Sequence, residues 1–246
     1  MWLSGDGHLL ITDSQGRQIG YIGNEFVNQI PDAYGGIIDG GLGIELEPIY
    51  VLPTGQDYSI LLDGQTITQT QTVAVTQFGS GFATSVEHIV LTSSTQDELY
   101  IAPDGTSITY EAEQAREVTF LLAKSETDKS FQFQIGGADI GSGQVISTTI
   151  DTNTDQLLFN NAQANGGQYN LEIKRVSVAG QNTFVHDDIA ITATDTHYLD
   201  YGSWNGTGSI TLYIDHGSDG TIDETIVLEN QIQTEGSMYL PIMRRN

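Results

Sequence analysis

The chain contains no cysteine, only five prolines and only eight lysines and arginines, against 32 aspartates and glutamates, in 246 residues. Without cysteine there is no thiol catalysis, no cysteine-ligated zinc and no disulfide framework. A chain of this length buries enough apolar surface to fold without such staples. The scarcity of basic residues leaves a net charge of −24, a field that repels phosphate backbones and anionic lipid, so nucleic-acid partners are excluded. No apolar run approaches the roughly 20 residues that a membrane-spanning helix needs. The opening Met1–Asp6 has neither a basic region nor an apolar stretch, so it does not read as a signal peptide. A strand-like run, His8–Thr12, follows almost at once, and the chain reads as begun inside a larger polypeptide.

Helix signals are also scarce. Charged residues make up 16% of the chain, so its polar surface is carried by Thr, Ser, Gln, Asn and Gly, which suit strands and turns. Only Glu111–Glu117 has helix-favouring residues, and it is short and lacks an apolar stripe.

What is abundant is period-two alternation. Val118, Phe120 and Leu122 alternate with more polar neighbours, as do Phe131, Phe133 and Ile135, then Tyr169, Leu171 and Ile173, then Ile189 and Ile191, then Ile210, Leu212 and Ile214. Each set places its apolar side chains on one sheet face. Asp63-Gly64 and Pro103-Asp104-Gly105 sit between such runs and read as hairpin turns. The expected fold is all-β: two consecutive antiparallel β-sandwiches of immunoglobulin-like or jelly-roll-like kind, over 1–113 and 114–230, with a junction near Glu111–Glu117 and a tail over 231–246. The glycine-rich Gly35–Gly43 has no helix pattern after it, as a nucleotide loop requires, and reads as a loop.

Three groups of residues could carry chemistry. In Ile214–Glu224, Asp215, Asp219 and Asp223 fall at positions 1, 5 and 9 of a loop with glycine at position 6, the spacing of a calcium loop. Gly217 stands where a third carboxylate or amide belongs, and Ile226 where a bidentate glutamate does, so Glu224 is the candidate replacement ligand. The competing reading is an acidic hairpin whose Asp and Gly serve the turn. Asp195, His197 and Asp200 bring imidazole and carboxylate close, enough for a zinc or iron site but common by chance on a strand. Tyr198, Tyr201 and Trp204 would stack on sugar rings if exposed and fill the core if buried. No nucleophile-elbow or zinc-protease motif occurs, and paired acids such as Glu45 with Glu47 carry little information in so acidic a chain.

Several strings resemble accessory β-sandwich modules near the C-terminus of large secreted or cell-surface bacterial proteins. They are Leu10–Tyr21, of the form L-x-T-D-x-x-G-R-x-x-G; Asn28–Tyr34; Tyr198–Trp204 followed by the D-G-T-I-D hairpin at 219–223; and Tyr239-Leu240-Pro241-Ile242 near the end. The resemblance implies export, a multidomain context and a stalk, adhesion or accessory role, with calcium as the cofactor the acidic loop would take. The expected partner is an extracellular polysaccharide or surface protein. A carbohydrate-binding module or small glycan-active enzyme, and a phage or virus fibre component, are the competing readings. No catalytic residues are assigned.

Overall fold

The computed structural model describes residues 1–36, 47–162 and 165–232; the glycine-rich 37–43 and the Tyr239–Ile242 string lie outside the described residues. Every regular element among the described residues is a strand. The N-terminal part holds β1 (Trp2–Ser4), β2 (His8–Asp13), β3 (Gln18–Ile22), β4 (Glu25–Asn28), β5 (Tyr34–Gly36), β6 (Ile49–Val51) and β7 (Tyr58–Asp63). Then come three four-strand units. The first is β8 (Gln71–Gly79), β9 (Phe82–Leu91), β10 (Gln96–Ile101) and β11 (Ser107–Ala112). The second is β12 (Arg116–Ser125), β13 (Lys129–Ile140), β14 (Gln144–Asp151) and β15 (Gln156–Asn161). The third is β16 (Gly167–Ser177), β17 (Gly180–Ile191), β18 (Thr196–Asp200) and β19 (Ile210–Asp215), and β20 (Glu224–Leu228) follows it.

Each unit adds one hairpin to each of two sheets. A seven-stranded sheet runs β1-β8-β9-β12-β13-β16-β17, and an eleven-stranded sheet runs β20-β19-β18-β15-β14-β11-β10-β7-β2-β3-β4. All pairings are antiparallel. At a strand spacing near 4.8 Å, the larger sheet is about 50 Å wide. The two sheets share one core, bridged by Phe120 against Phe159 at 6.4 Å and Phe159 against Tyr169 at 4.7 Å between ring centroids. The alternating residues read from the sequence supply it: Phe120, Leu122, Phe133, Ile173 and Leu212 are all fully buried.

The units repeat in detail. The first hairpin of each carries a bulge opposite one residue of its partner strand: the register shifts between Val73 and Val75, between Val118 and Phe120, and between Tyr169 and Leu171. The extra residue on the second strand is left-handed each time, His88 (φ 62°), Gly137 (φ 69°) and Asp188 (φ 58°), a conformation found in one class of bulge. The chain then leaves for the other sheet through the same turn, closed by Thr95 N–H to Thr92 O, Gln144 N–H to Gly141 O and Asp195 N–H to Thr192 O. Equivalent positions recur roughly 50 residues apart, within the range of stacked repeat units.

Two sequence expectations differ from this picture. The division between 113 and 114 is marked by no break in pairing: β9 pairs with β12 and β11 with β14, so both sheets run through Glu111–Glu117. Asp63-Gly64 does not turn a hairpin. β7 pairs with β2 and β10, Gly64 N–H bonds Thr95 O, and the chain then departs to the other sheet. Pro103-Asp104-Gly105 does turn a hairpin, joining β10 to β11.

Candidate functional site

The acidic loop between β19 and β20 folds its carboxylates onto its own backbone. Asp215 is buried at 1% exposure, and its two oxygens accept the N–H groups of Asp219 (3.0 Å) and Gly220 (2.8 Å). Asp219 Oδ1 accepts Thr221 N–H at 2.9 Å, and Asp223 Oδ2 accepts His216 N–H at 2.8 Å. Gly217 and Gly220 take positive φ, 85° and 89°, which sharpens the bend. Glu224 lies 3.8 Å from His216 Nε2. The four expected calcium ligands are therefore brought into one loop, with Asp215 committed to closing it. Among the described residues, no three His, Asp or Glu side chains are arranged to hold a metal ion.

Next to this loop are two hydrogen-bonded groups, one around Asp195 and one joining His197 to Tyr169 on the other sheet. Asp195, 1% exposed, accepts from the N–H and hydroxyl of Thr192 (2.8 and 2.7 Å) and pairs with His216 Nδ1 at 2.9 Å. Its other neighbour is the fully buried His197, with Nε2 4.0 Å from Asp195 Oδ2 and Nδ1 3.0 Å from the Tyr169 hydroxyl. The arrangement fits a neutral imidazole in which Nδ1 accepts from Tyr169 and Nε2–H faces Asp195. Burial drives the His197 pKa down to about 4, against the pull of Asp195. The hydrogen bond to Asp195 raises that of His216, with burial opposing. Burial pushes Asp195 up, but Thr192 and His216 outweigh it and the net shift is downward. Asp200 stands apart, accepting from Ser203 N–H at 3.1 Å. Asp195 and His197 are thus neighbours, as their spacing suggested, but Asp195 clasps the crossover turn to the acidic loop while His197 bonds Tyr169 on the other sheet.

Two of the three aromatics lie away from the surface. Tyr201 is 1% exposed, wedged 4.9 Å from Phe131 and 4.8 Å from Phe133, and Trp204 is 3% exposed and 6.0 Å from Phe184. Both fill the space between the sheets, so they offer no flat face to a sugar. Tyr198 is half-buried beside Asp215.

A fourth site lies outside every motif read from the sequence. Glu47, with its side chain 1% exposed, accepts Leu9 N–H at 2.7 Å and the Tyr50 hydroxyl at 2.5 Å and pairs with His8 Nδ1 at 2.9 Å. His8 stacks on Tyr21 at 4.1 Å. A polar cavity of about 320 Å³ opens there, lined also by Asp6, Asn24, Thr66 and Thr68. A carboxylate on Nδ1 leaves Nε2 as an acceptor, so the cavity suits a small ligand that donates hydrogen bonds. His8 and Glu47 are 39 residues apart, and no local motif links them.

No protein family, curated protein or solved structure matched the chain on comparison.

Proposed function

We propose that the chain is a non-catalytic structural module of an extracellular or cell-surface protein, a broad, acidic two-sheet slab that spaces or presents neighbouring domains. The observation that carries this reading is the lateral stacking of three like units into two continuous sheets, an architecture whose width is set by unit number. The balance of charge supports it by keeping such a slab soluble, and the likeness to accessory modules of exported proteins supports its setting. Its partners on this reading are a surface protein or polysaccharide. Calcium has a minor part: with Asp215 committed to the turn, Asp219, Asp223 and Glu224 are left for an ion, which implies weak binding.

Removal of residues 116–161 tests the module. β8–β11 and β16–β19 present equivalent edges, so the shortened chain should keep an antiparallel-sheet circular-dichroism spectrum. It should also lose two strands from each sheet, about 10 Å of width by small-angle scattering. An unfolded product would overturn the proposal.

A second reading, sugar binding, is favoured by one observation, the acceptor-lined cavity beside His8. Titration of neutral monosaccharides against the His8 ring resonances tests it; saturable shifts lost in Asn24→Ala, which removes a lining side chain and keeps the reporting ring, support it, and silence across the panel rejects it.

A further inference from the structure

The second strands of the first two units are each covered by the first strand of the next: Ser85 on β9 sits opposite Leu121, and Gln134 on β13 sits opposite Glu172. Counted from the bulges at His88, Gly137 and Asp188, the equivalent residue on β17 is Val185. Among the described residues no strand covers β17 on that side, and it ends the seven-stranded sheet. Instead, among the described residues, the segment after β20 crosses from the other sheet and lies against it. Val185 N–H donates to Asn230 Oδ1 (3.1 Å), and Asn230 Nδ2 donates to Thr183 O (2.9 Å). Gln231 N–H donates to Val185 O (2.8 Å), and Asp187 N–H donates to Gln231 Oε1 (2.8 Å). One carboxamide offers a C=O and an N–H as a peptide group does, so Asn230 and Gln231 imitate a short strand. This imitation satisfies the Thr183 C=O, both groups of Val185 and the Asp187 N–H.

We propose that the β17 edge is a strand-pairing surface sealed by Asn230 and Gln231, and that, once unsealed, it pairs with the same edge of a second copy of this chain. Exposed N–H and C=O rows recruit strands, and this edge has the geometry of two others that hold one. Antiparallel self-pairing about Val185 is two-fold symmetric and closes as a dimer. It sets Asp187 opposite Thr183 and Asp188 opposite Asn182, so no two carboxylates face each other directly. Among the described residues the other ends of the two large sheets are β1, β4 and β20, of 3, 4 and 5 residues against the 12 of β17, so the like edge is the partner that matches it in length. Two chains of net charge −24 repel at a distance, so salt favours the pairing.

The test is N230A/Q231A, studied by sedimentation equilibrium with amide exchange read at Val185 and Asp187. The expected result is a monomer–dimer equilibrium that shifts to dimer with added NaCl and protects both amides as dimer forms, while the unaltered chain stays monomeric. Val185→Pro removes an outward N–H without touching the β16 side; added to the double variant, it should restore the monomer. A double variant that remains monomeric with fast exchange at both amides overturns the proposal, as does self-association that Val185→Pro leaves unchanged. Should the double variant fail to fold, Asn230→Ser is read by the same criteria.

Discussion

Acid should weaken this protein through one buried ring. His197 is fully buried, with its pKa near 4 in place of the ordinary 6.5, chiefly because burial penalises the imidazolium. The unfolded chain takes up the proton below pH 6.5, while the folded chain resists until about pH 4. The contribution of the neutral ring to stability is therefore complete above pH 6.5 and is lost as pH falls towards 4. Linkage with these two values puts the loss at about 2 kcal/mol by pH 5 and about 3 kcal/mol by pH 4. The many carboxylates also titrate in this range and ease their mutual repulsion, so stability alone is not diagnostic. The variant His197→Gln lacks the titrating ring and serves as reference. Urea unfolding of both chains at pH 7, 6 and 5 should show the wild-type advantage shrinking by about 2 kcal/mol across the series. Nitrogen-detected NMR should find His197 in the Nε2–H tautomer at pH 7. A wild-type advantage that stays level from pH 7 to 5, or a ring that titrates near 6.5 in the folded state, refutes the reasoning.

Arg116→Met should be more damaging than an exposed arginine substitution. It leaves the fully buried Asp97 with the Tyr110 hydroxyl and the Glu113 N–H as donors but without the 2.8 Å guanidinium contact, and stability should drop by about 3–5 kcal/mol in urea unfolding. Tyr201→Ala and Trp204→Ala should each cost about 3–5 kcal/mol as core cavities and change no sugar-binding signal, since neither ring reaches the surface. Millimolar Ca²⁺ at fixed ionic strength should stabilise the chain by less than about 1 kcal/mol, as expected near a dissociation constant of ~10⁻³ M. A larger gain that Asp219→Ala removes would show a tighter site than the loop geometry supports.

The strands were legible because alternation is a local signal, and burial on one face enforces it: Phe131, Phe133 and Ile135 face inward as read. The lateral repeat was less so. Its marks, Thr92 with Thr95 and Thr192 with Asp195, use different side chains to close the same turn, and the middle unit closes it with Gly141 and Gln144. The bulge residue is His, Gly or Asp. What recurs is backbone conformation, which several residue types satisfy, so sequence identity between units is low while their geometry is alike. The break expected at 113 and 114 rested on helix-favouring residues at Glu111–Glu117. Those propensities amount to a fraction of a kcal/mol per residue, and the pairing of β11 with β14 and β12 with β9 overrides them.

The same distinction separates the readable chemistry from the hidden chemistry. Residues close in sequence could be grouped in advance, and the acidic loop and the Asp195–His197 pair do come together. Their roles could not be read, because a carboxylate that caps a turn and one that holds an ion have the same spacing. What decides is whether backbone N–H groups already fill the oxygens, as they do for Asp215. Contacts formed by sheet stacking left no local trace at all. Tyr169 meets His197 across 28 residues, Glu47 meets His8 across 39 and Asn230 meets Val185 across 45. In a two-sheet slab built from hairpins, neighbours in space alternate between the sheets. The polar groups that lock it together therefore come from different hairpins, and sequence spacing is silent about which will meet.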